Sequence, residues 1–530
     1  MGQRFQSGHG PDEMMLMPAD PREWLPAGHL AWKVLELAGE MDLSGFGGYR
    51  PDGQGGRPYD PVMMATLLLY CYCRGRRSAR EIEAATFDDV GARIIAGGLH
   101  PDHSTIARFT GRNAAAVLAL LPESVRACAA EGLVDLSVVA GDGTKLKANA
   151  AMSGNLTREQ LEGQIAELEG WIDAEFGSWV RDLLDAEGIP VPDDDPAAAG
   201  GGGPGPGRGG GAGTRKKWKK KPDRAAQMLR RRLAARARLD AVAGRQQDRA
   251  EARAAALAAR LERSEAACAR REEKVRARLE ARARREAAGE KIPGARPITS
   301  PDQDRDLREL RAARDKIRRR HAEAAAAAPP AGPRATVNPA DPSSLVMPLK
   351  KGGFDQLFNV QALATAKTQV ILAVIRHPSP VDVQALLPLL AAARAVLRQA
   401  GLAGEILTAL FDTGYASDAN FTADIPETLY VAVTREARQA GRSPDGRGPA
   451  MLPSWQDMTS RLDTDEGKAL YKQRSATIEP VFAQLTARLG RTLNYRGHLA
   501  DAELALWAAS HNILKAITAR TRRTAPAPAA

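Results

Sequence analysis

Leu133–Ala150, LVDLSVVAGDGTKLKANA, is the stretch whose reading decides the fold of this chain. Val134, Leu136, Val138 and Val139 read as a short buried strand, bounded by Glu131-Gly132 before it and Gly141-Asp142-Gly143 after it. Asp142 is thereby expected at the strand's end, where Asp-Gly taken alone is ordinary turn chemistry. Two later carboxylates change that reading. Asp412 closes a second apolar run, EILTALFDTGY, and Glu479 lies on the amphipathic stretch KQRSATIEPVFAQLTARL. Two strand-end aspartates and a helical glutamate supply the hard oxygen donors that a two-metal phosphoryl-transfer site needs.

A chain of 530 residues has room for two to four domains, at about 100–200 residues each. Its net charge of +11 favours an acidic partner, and nucleic acid ahead of membrane, because no amphipathic anchor or lipidation motif is present. Four cysteines give no disulfide framework. Cys71 and Cys73 fall inside an apolar helix with the wrong spacing for structural zinc. The N-terminus lacks a signal pattern, and the apolar run VMMATLLLYCYC falls short of the ~18 residues of a membrane span. The expectation is a soluble, cytoplasmic protein.

The positive charge is unevenly spread. Arg215–Arg320 holds 35 Lys and Arg against 16 Asp and Glu, a net of +19, so the rest of the chain sums to −8. The segment reads as long Ala-rich helices with basic faces, broken near Gly289–Pro301. It follows a Gly/Pro linker and opens on RKKWKKK, where Arg215, Lys216, Lys217, Lys219, Lys220 and Lys221 surround Trp218 as candidate phosphate contacts. A solvated helical spacer is the alternative for the segment. Ahead of Leu133, the pattern is helical. PVMMATLLLYCYC is apolar nearly all round and should be a core helix, Ser78 and Glu81 form a capping box, and a further helix begins at DHSTIARFTGRN. Exposed arginines here, Arg80 and Arg108 above all, suit a groove-reading helical domain that folds alone, and an ordinary bundle equally. After Val337, strands alternate with helices in a mixed α/β pattern, ending on DAELALWAASHNILKAITAR, read as an amphipathic helix.

Taken in order, YDPVMMATLLLYCYCRGRRSAREIE, PDHSTIARF, GDGTKLKANA, KGGFDQLFNVQ, DTGYASDANF, RSATIEPVFAQL and HNILKA resemble the DDE transposases of bacterial insertion sequences. The resemblance implies an RNase H-like mixed sheet flanked by helices, with an N-terminal all-α domain and a long basic helical insertion. It divides the chain into a DNA-binding domain at 1–126, a catalytic domain at 127–150 and 337–520, an insertion at 151–336 and a tail at 521–530. It implies that Asp142, Asp412 and Glu479 are a catalytic triad holding two Mg²⁺ or Mn²⁺ ions, with Asp142 bridging. It also implies a homo-oligomer acting on transposon ends and target DNA at the nucleoid. Tyr471, Arg474 and Glu479 fit the family's Tyr, Arg, Glu, Lys signature with one extra residue before Glu479, and Thr486 stands at the Lys position. Arg488 or Arg491 are candidates for the missing charge. Arg474 and Glu479, five residues apart, are about 140° apart around a helix, so Arg474 is expected to hold phosphate while Glu479 reaches metal. Lys145 and Lys147 are candidate phosphate contacts beside Asp142. Two rival readings are a non-catalytic DNA-binding protein, indifferent to divalent metal, and a metal-dependent nuclease that cuts without joining.

Overall fold

Asp60, Ser78, Asp89 and Asp102 each stand one residue before a helix and accept a backbone N–H from its first turn, so short polar residues punctuate the front of the chain into brief helices. A computed structural model describes residues 20–47, 58–176, 222–289, 299–326, 336–349, 352–433 and 452–524. The front helices are α1 (Leu30–Glu40), α2 (Pro61–Cys73), α3 (Ala79–Asp88), α4 (Val90–Ile95), α5 (His103–Arg112) and α6 (Ala114–Ala130). The expected capping box is formed, with Ser78 N–H donating to Glu81 Oε2 at 2.9 Å and Glu81 N–H to Ser78 Oγ at 3.2 Å. In α2 every residue from Met64 to Cys73 is buried, as its unbroken apolar sequence requires.

The sheet has six strands: β1 (Val138–Lys147), β2 (Leu345–Pro348), β3 (Phe354–Thr365), β4 (Ile371–His377), β5 (Thr408–Phe411) and β6 (Thr428–Val431). β1 pairs antiparallel with β3, and the far edge of β3 carries β2 and then β4, both antiparallel. On its other side β1 pairs parallel with β5, and β5 parallel with β6. Helix α10 (Leu386–Gln399) follows β4 and closes at Gly401 in the left-handed region (φ 73°). Helices α11 (Pro453–Asp463), α12 (Asp465–Leu489) and α13 (Leu499–Thr524) complete the fold. The sheet and flanking helices agree with expectation.

The chain forms two compact units, one from Met1–Gly154 and Ala340–Ala530, the other from Asn155–Leu184 and Lys221–Pro339. The second holds α7 (Arg158–Phe176), α8 (Pro222–Ala287) and α9 (Arg305–Ala326). Its two ends meet, because Leu156 and Val337 exchange both backbone hydrogen bonds at 2.9 and 3.0 Å. Opposite charges lace its helices. Arg271 grips Asp304 at 2.8 Å, Arg311 grips Glu272 at 3.0 Å, and Arg318 grips Glu265 at 2.7 Å.

Four expectations change. Gly141-Asp142-Gly143 does not end the strand, since β1 runs on to Lys147. Helix α13 is buried on all sides from Ala502 to Ile513, so its first half is a core helix and not an amphipathic one. Its last turns extend to Thr524, into the expected tail. The front helices and the sheet also share one hydrophobic core, with no break in packing at residue 126. Helix α13 is the reason. It packs on α2, α6 and β4. Asn512 on it donates to Ser124 of α6 (3.1 Å) and exchanges bonds with the Ile371 backbone of β4 (2.8 and 2.9 Å). Arg520 reaches Glu40 of α1 at 2.8 Å and Glu131 at 2.8 Å.

A fragment ending at Arg126 therefore exposes the faces of α2 and α6 that α13 covers. Such a fragment should lack a cooperative thermal transition and disperse its amide NMR signals poorly. Independent folding, with a sharp transition, would show that the shared core is dispensable.

Candidate active site

Asp142 lies mid-strand, and the two glycines beside it are small for packing reasons and not for a turn. A Cβ at Gly141 would stand 2.3 Å from the Phe411 ring, and one at Gly143 would stand 2.5 Å from Gln361 Nε2. Side chains alternate along a strand, so Asp142 projects from the opposite face, together with Thr144 and Leu146. On that face Leu146 and Thr144 pack towards Phe482 and Leu485 of α12.

Asp412 follows β5 directly. Ala140 and Leu410 are in register on the parallel pair, so Asp142 and Asp412, each two residues further on, leave neighbouring strands at one level. Asp412 Oδ1 accepts the Gly414 N–H at 2.8 Å and caps the short turn Thr413–Tyr415. Burial, first, and the Asp412 charge push the Asp142 carboxyl above its ordinary range, against the Gly143 N–H and Arg474, which favour ionisation. Arg474 Nη1 donates to Asp142 Oδ2 at 3.1 Å, while its Nη2 lies 3.9 Å from Glu479 Oε1. One guanidinium therefore spans the strand carboxylate and the helix carboxylate. Tyr471, half-buried one turn earlier, packs against Arg474, and burial pushes its hydroxyl up.

Among the described residues no three His, Cys, Asp or Glu side chains are gathered as a ready metal cluster. Asp142 and Asp412 come together, but the expected third member, Glu479, comes only as far as Arg474, with its side chain 64% exposed. Arg474 itself faces the carboxylates, where a free phosphate grip had been expected.

The other candidates fall elsewhere. Lys145 and Lys147 project from the sheet face opposite Asp142. Lys147 Nζ is held by Asp355 at 2.7 Å, and Lys145 Nζ donates to the Pro348 carbonyl at 3.3 Å. Arg80 is exposed on α3. Arg108 is exposed on α5 but folds back on Ser104, donating to its carbonyl and hydroxyl at 3.1 Å each. Thr486 bonds its own helix at Phe482. Arg488 turns to Ser510 of α13 at 3.2 Å, away from the position a Lys at 486 would hold. Arg215, Lys216, Lys217, Lys219, Lys220 and Lys221 lie outside the described residues.

A family model described as "Transposase domain (DUF772)" matches residues 20–112, and one described as "Transposase DDE domain" matches residues 442–517, the span that holds Tyr471, Arg474 and Glu479. These two matches support reading the chain as an insertion-sequence DDE transposase. No curated protein and no solved structure matches it. Among the described residues, no helix is long and apolar enough to cross a membrane.

Two further groups of residues support the site. Behind Asp142, on the Gly143 face, Asn359 and Gln361 both donate to Asp382 Oδ1, at 2.8 and 2.7 Å, and Tyr415 donates to Gln361 Oε1. This network fixes the turn after Asp412 against β3. The second group centres on Gln369, the only described non-glycine residue with positive φ (58°). Pro480, next to Glu479, has no N–H for the Ala476 carbonyl. Gln369 Nε2 supplies that donor at 3.2 Å, while its Oε1 accepts from Lys515 at 3.0 Å and its carbonyl meets His511 Nε2 at 2.9 Å. His511, Asn512 and Lys515 of HNILKA are thus structural groups, and two of them seat the helix that carries Glu479.

Pro480→Ala restores the missing helical N–H, so Gln369→Ala should destabilise the Pro480→Ala background less than the native chain. In a double-mutant cycle by chemical denaturation the coupling should be about 1 kcal/mol. Additive effects would show that Gln369 does not serve the proline gap.

Proposed function

We propose that this transposase cleaves and joins DNA strands by phosphoryl transfer at Asp142, Asp412 and Glu479, on a sheet of the RNase H-like kind. The contact that carries this reading is Arg474 Nη1 to Asp142 Oδ2 at 3.1 Å, which ties the carboxylate of the first strand to the helix matched by the DDE model. The sheet supports it as well. An antiparallel β4, β3, β1 set continued by parallel β5 and β6 has one acidic residue on the central strand and one at the end of its parallel neighbour. The donor chemistry fits a hard divalent cation, because all candidate ligands are carboxylate oxygens and two of them repel each other across adjacent strands.

Asp142, Asp412 and Glu479 would hold Mg²⁺ or Mn²⁺. When bound, such ions activate the attacking oxygen and stabilise the leaving one. The chain's own groups have distinct tasks. The Gly143 N–H and Arg474 favour the ionised form of the half-buried Asp142. Arg474 also has further N–H donors to offer a phosphate oxygen. The Gly414 N–H orients Asp412. The front helices, with Arg80 and Arg108, are the proposed readers of the transposon end, and the basic insertion follows DNA phosphates without reading bases.

Asp412→Asn should abolish Mg²⁺-dependent cleavage of transposon-end DNA in a gel assay while leaving DNA affinity nearly intact, because phosphate contacts elsewhere set affinity. Cleavage at the native rate would remove Asp412 from the site. Since Leu156 and Val337 are paired, a short glycine linker can replace the residues between them. The resulting chain should bind DNA with a shallower dependence of log affinity on log salt, the slope falling by about 0.9 for each phosphate that the insertion neutralises. An unchanged slope would leave the insertion as a spacer.

A further inference from the structure

The part of the chain outside the basic segment carries a net −8. Against that background one crevice is cationic. It lies between α12 and α13, floored by the turn between β3 and β4, with a volume of about 780 Å³. Lys367, Arg488, Lys515 and Arg522 line it with Gln484 and Thr518, and no Asp or Glu is among its described lining residues. We propose that this crevice binds the phosphodiester backbone of a DNA strand, an inference that rests on the transposase acting on DNA as argued above.

Lys515 and Arg488 keep hydrogen-bonding capacity beyond their internal partners. Lys515 Nζ uses Gln369 Oε1 (3.0 Å) and retains two N–H donors. Of the five N–H groups of Arg488, Ser510 Oγ takes one at 3.2 Å, and its buried Nε has no partner. Burial pushes both cations below their ordinary values. Lys367 meets Asp135 at 2.8 Å but keeps its side chain 73% exposed at the rim, and Arg522 is exposed at the other end. His511 adds no charge, because burial lowers it to about 4 while its Nε2 meets the Gln369 carbonyl. Such a set of cations releases the counterions condensed along a polyanion, which favours a polyanion over a single small anion.

The position also suits a strand that passes the catalytic carboxylates. Gln484 to Arg488 follow Glu479 on α12 by five to nine residues, about 7–14 Å along the axis at ~1.5 Å per residue. With one phosphate per ~3.4 Å on each strand, the contacts fall about two to four nucleotides from the reacting phosphate. Gln369 links the two places, with its amide nitrogen on the Ala476 carbonyl and its amide oxygen on Lys515.

The test uses the full chain with Lys367→Gln and Arg522→Gln combined, because both side chains reach solvent and their loss should not disturb folding. The control removes two charges elsewhere, Arg398→Gln with Arg523→Gln, of which Arg523 is paired with Glu131 at 3.0 Å. DNA affinity is measured against salt, and metal-dependent cleavage of the same DNA is assayed alongside. The crevice variant should lower the slope by about 1.8, at ~0.9 per neutralised phosphate, while the control keeps the native slope. A crevice variant that matches the native chain or the control overturns the proposal, whether or not DNA is cleaved. A lowered slope without any cleavage supports the crevice as a DNA site and counts against the catalytic reading alone.

Discussion

Burying Asp142 beside Asp412 is the constraint around which the rest of the compact sheet unit is arranged. A carboxylate that is mostly removed from water and placed beside Asp412 has reason to take up a proton, as the upward push on it shows. The Gly143 N–H and the Arg474 guanidinium oppose that push. Each demands something of the fold. The backbone donor requires a strand flanked by glycines thin enough to lie on Phe411 and Gln361. The guanidinium requires α12 to be held at a fixed height over β1. That height is set by Gln369, in a backbone conformation costly to a side chain, and by the two residues of α13 that secure it.

What sequence made legible was local chemistry in a local element. Asp412 after an apolar run, Glu479 on an amphipathic helix, the Ser78 capping box and the all-apolar α2 each depend on near neighbours, and each stands where its pattern put it. What escaped depends on partners hundreds of residues away. Gly141 and Gly143 resemble a turn until Phe411 and Gln361 are known to press on them. Lys147 resembles a free phosphate contact until Asp355 is seen to hold it. Alternation then puts both lysines on the wrong face, because the continuation of β1 past Asp142 was not visible. Asn359, Gln361 and Tyr415 were within recognisable motifs, yet a motif alone does not say which hydrogen bonds its polar residues make.

The second unit has a different physical basis. Its helices are poor in large apolar residues and rich in Arg, so ion pairs join helix to helix, as Arg271, Arg311 and Arg318 do to acids at 2.7–3.0 Å. Individually such pairs contribute little in water, and they act as a network. The pairs tie down Glu265, Glu272 and Asp304, while the segment keeps its net surplus of cations.

Helix α13 belongs to two structures at once. Its first half is the centre of the front helices and also the support of the sheet, with Asn512 bonded to both. No hinge can be placed between the front helices and the sheet without breaking that buried amide's bonds. On the proposed reading, a DNA end gripped by the front helices is presented to the sheet at a set distance and angle, like work clamped in a jig.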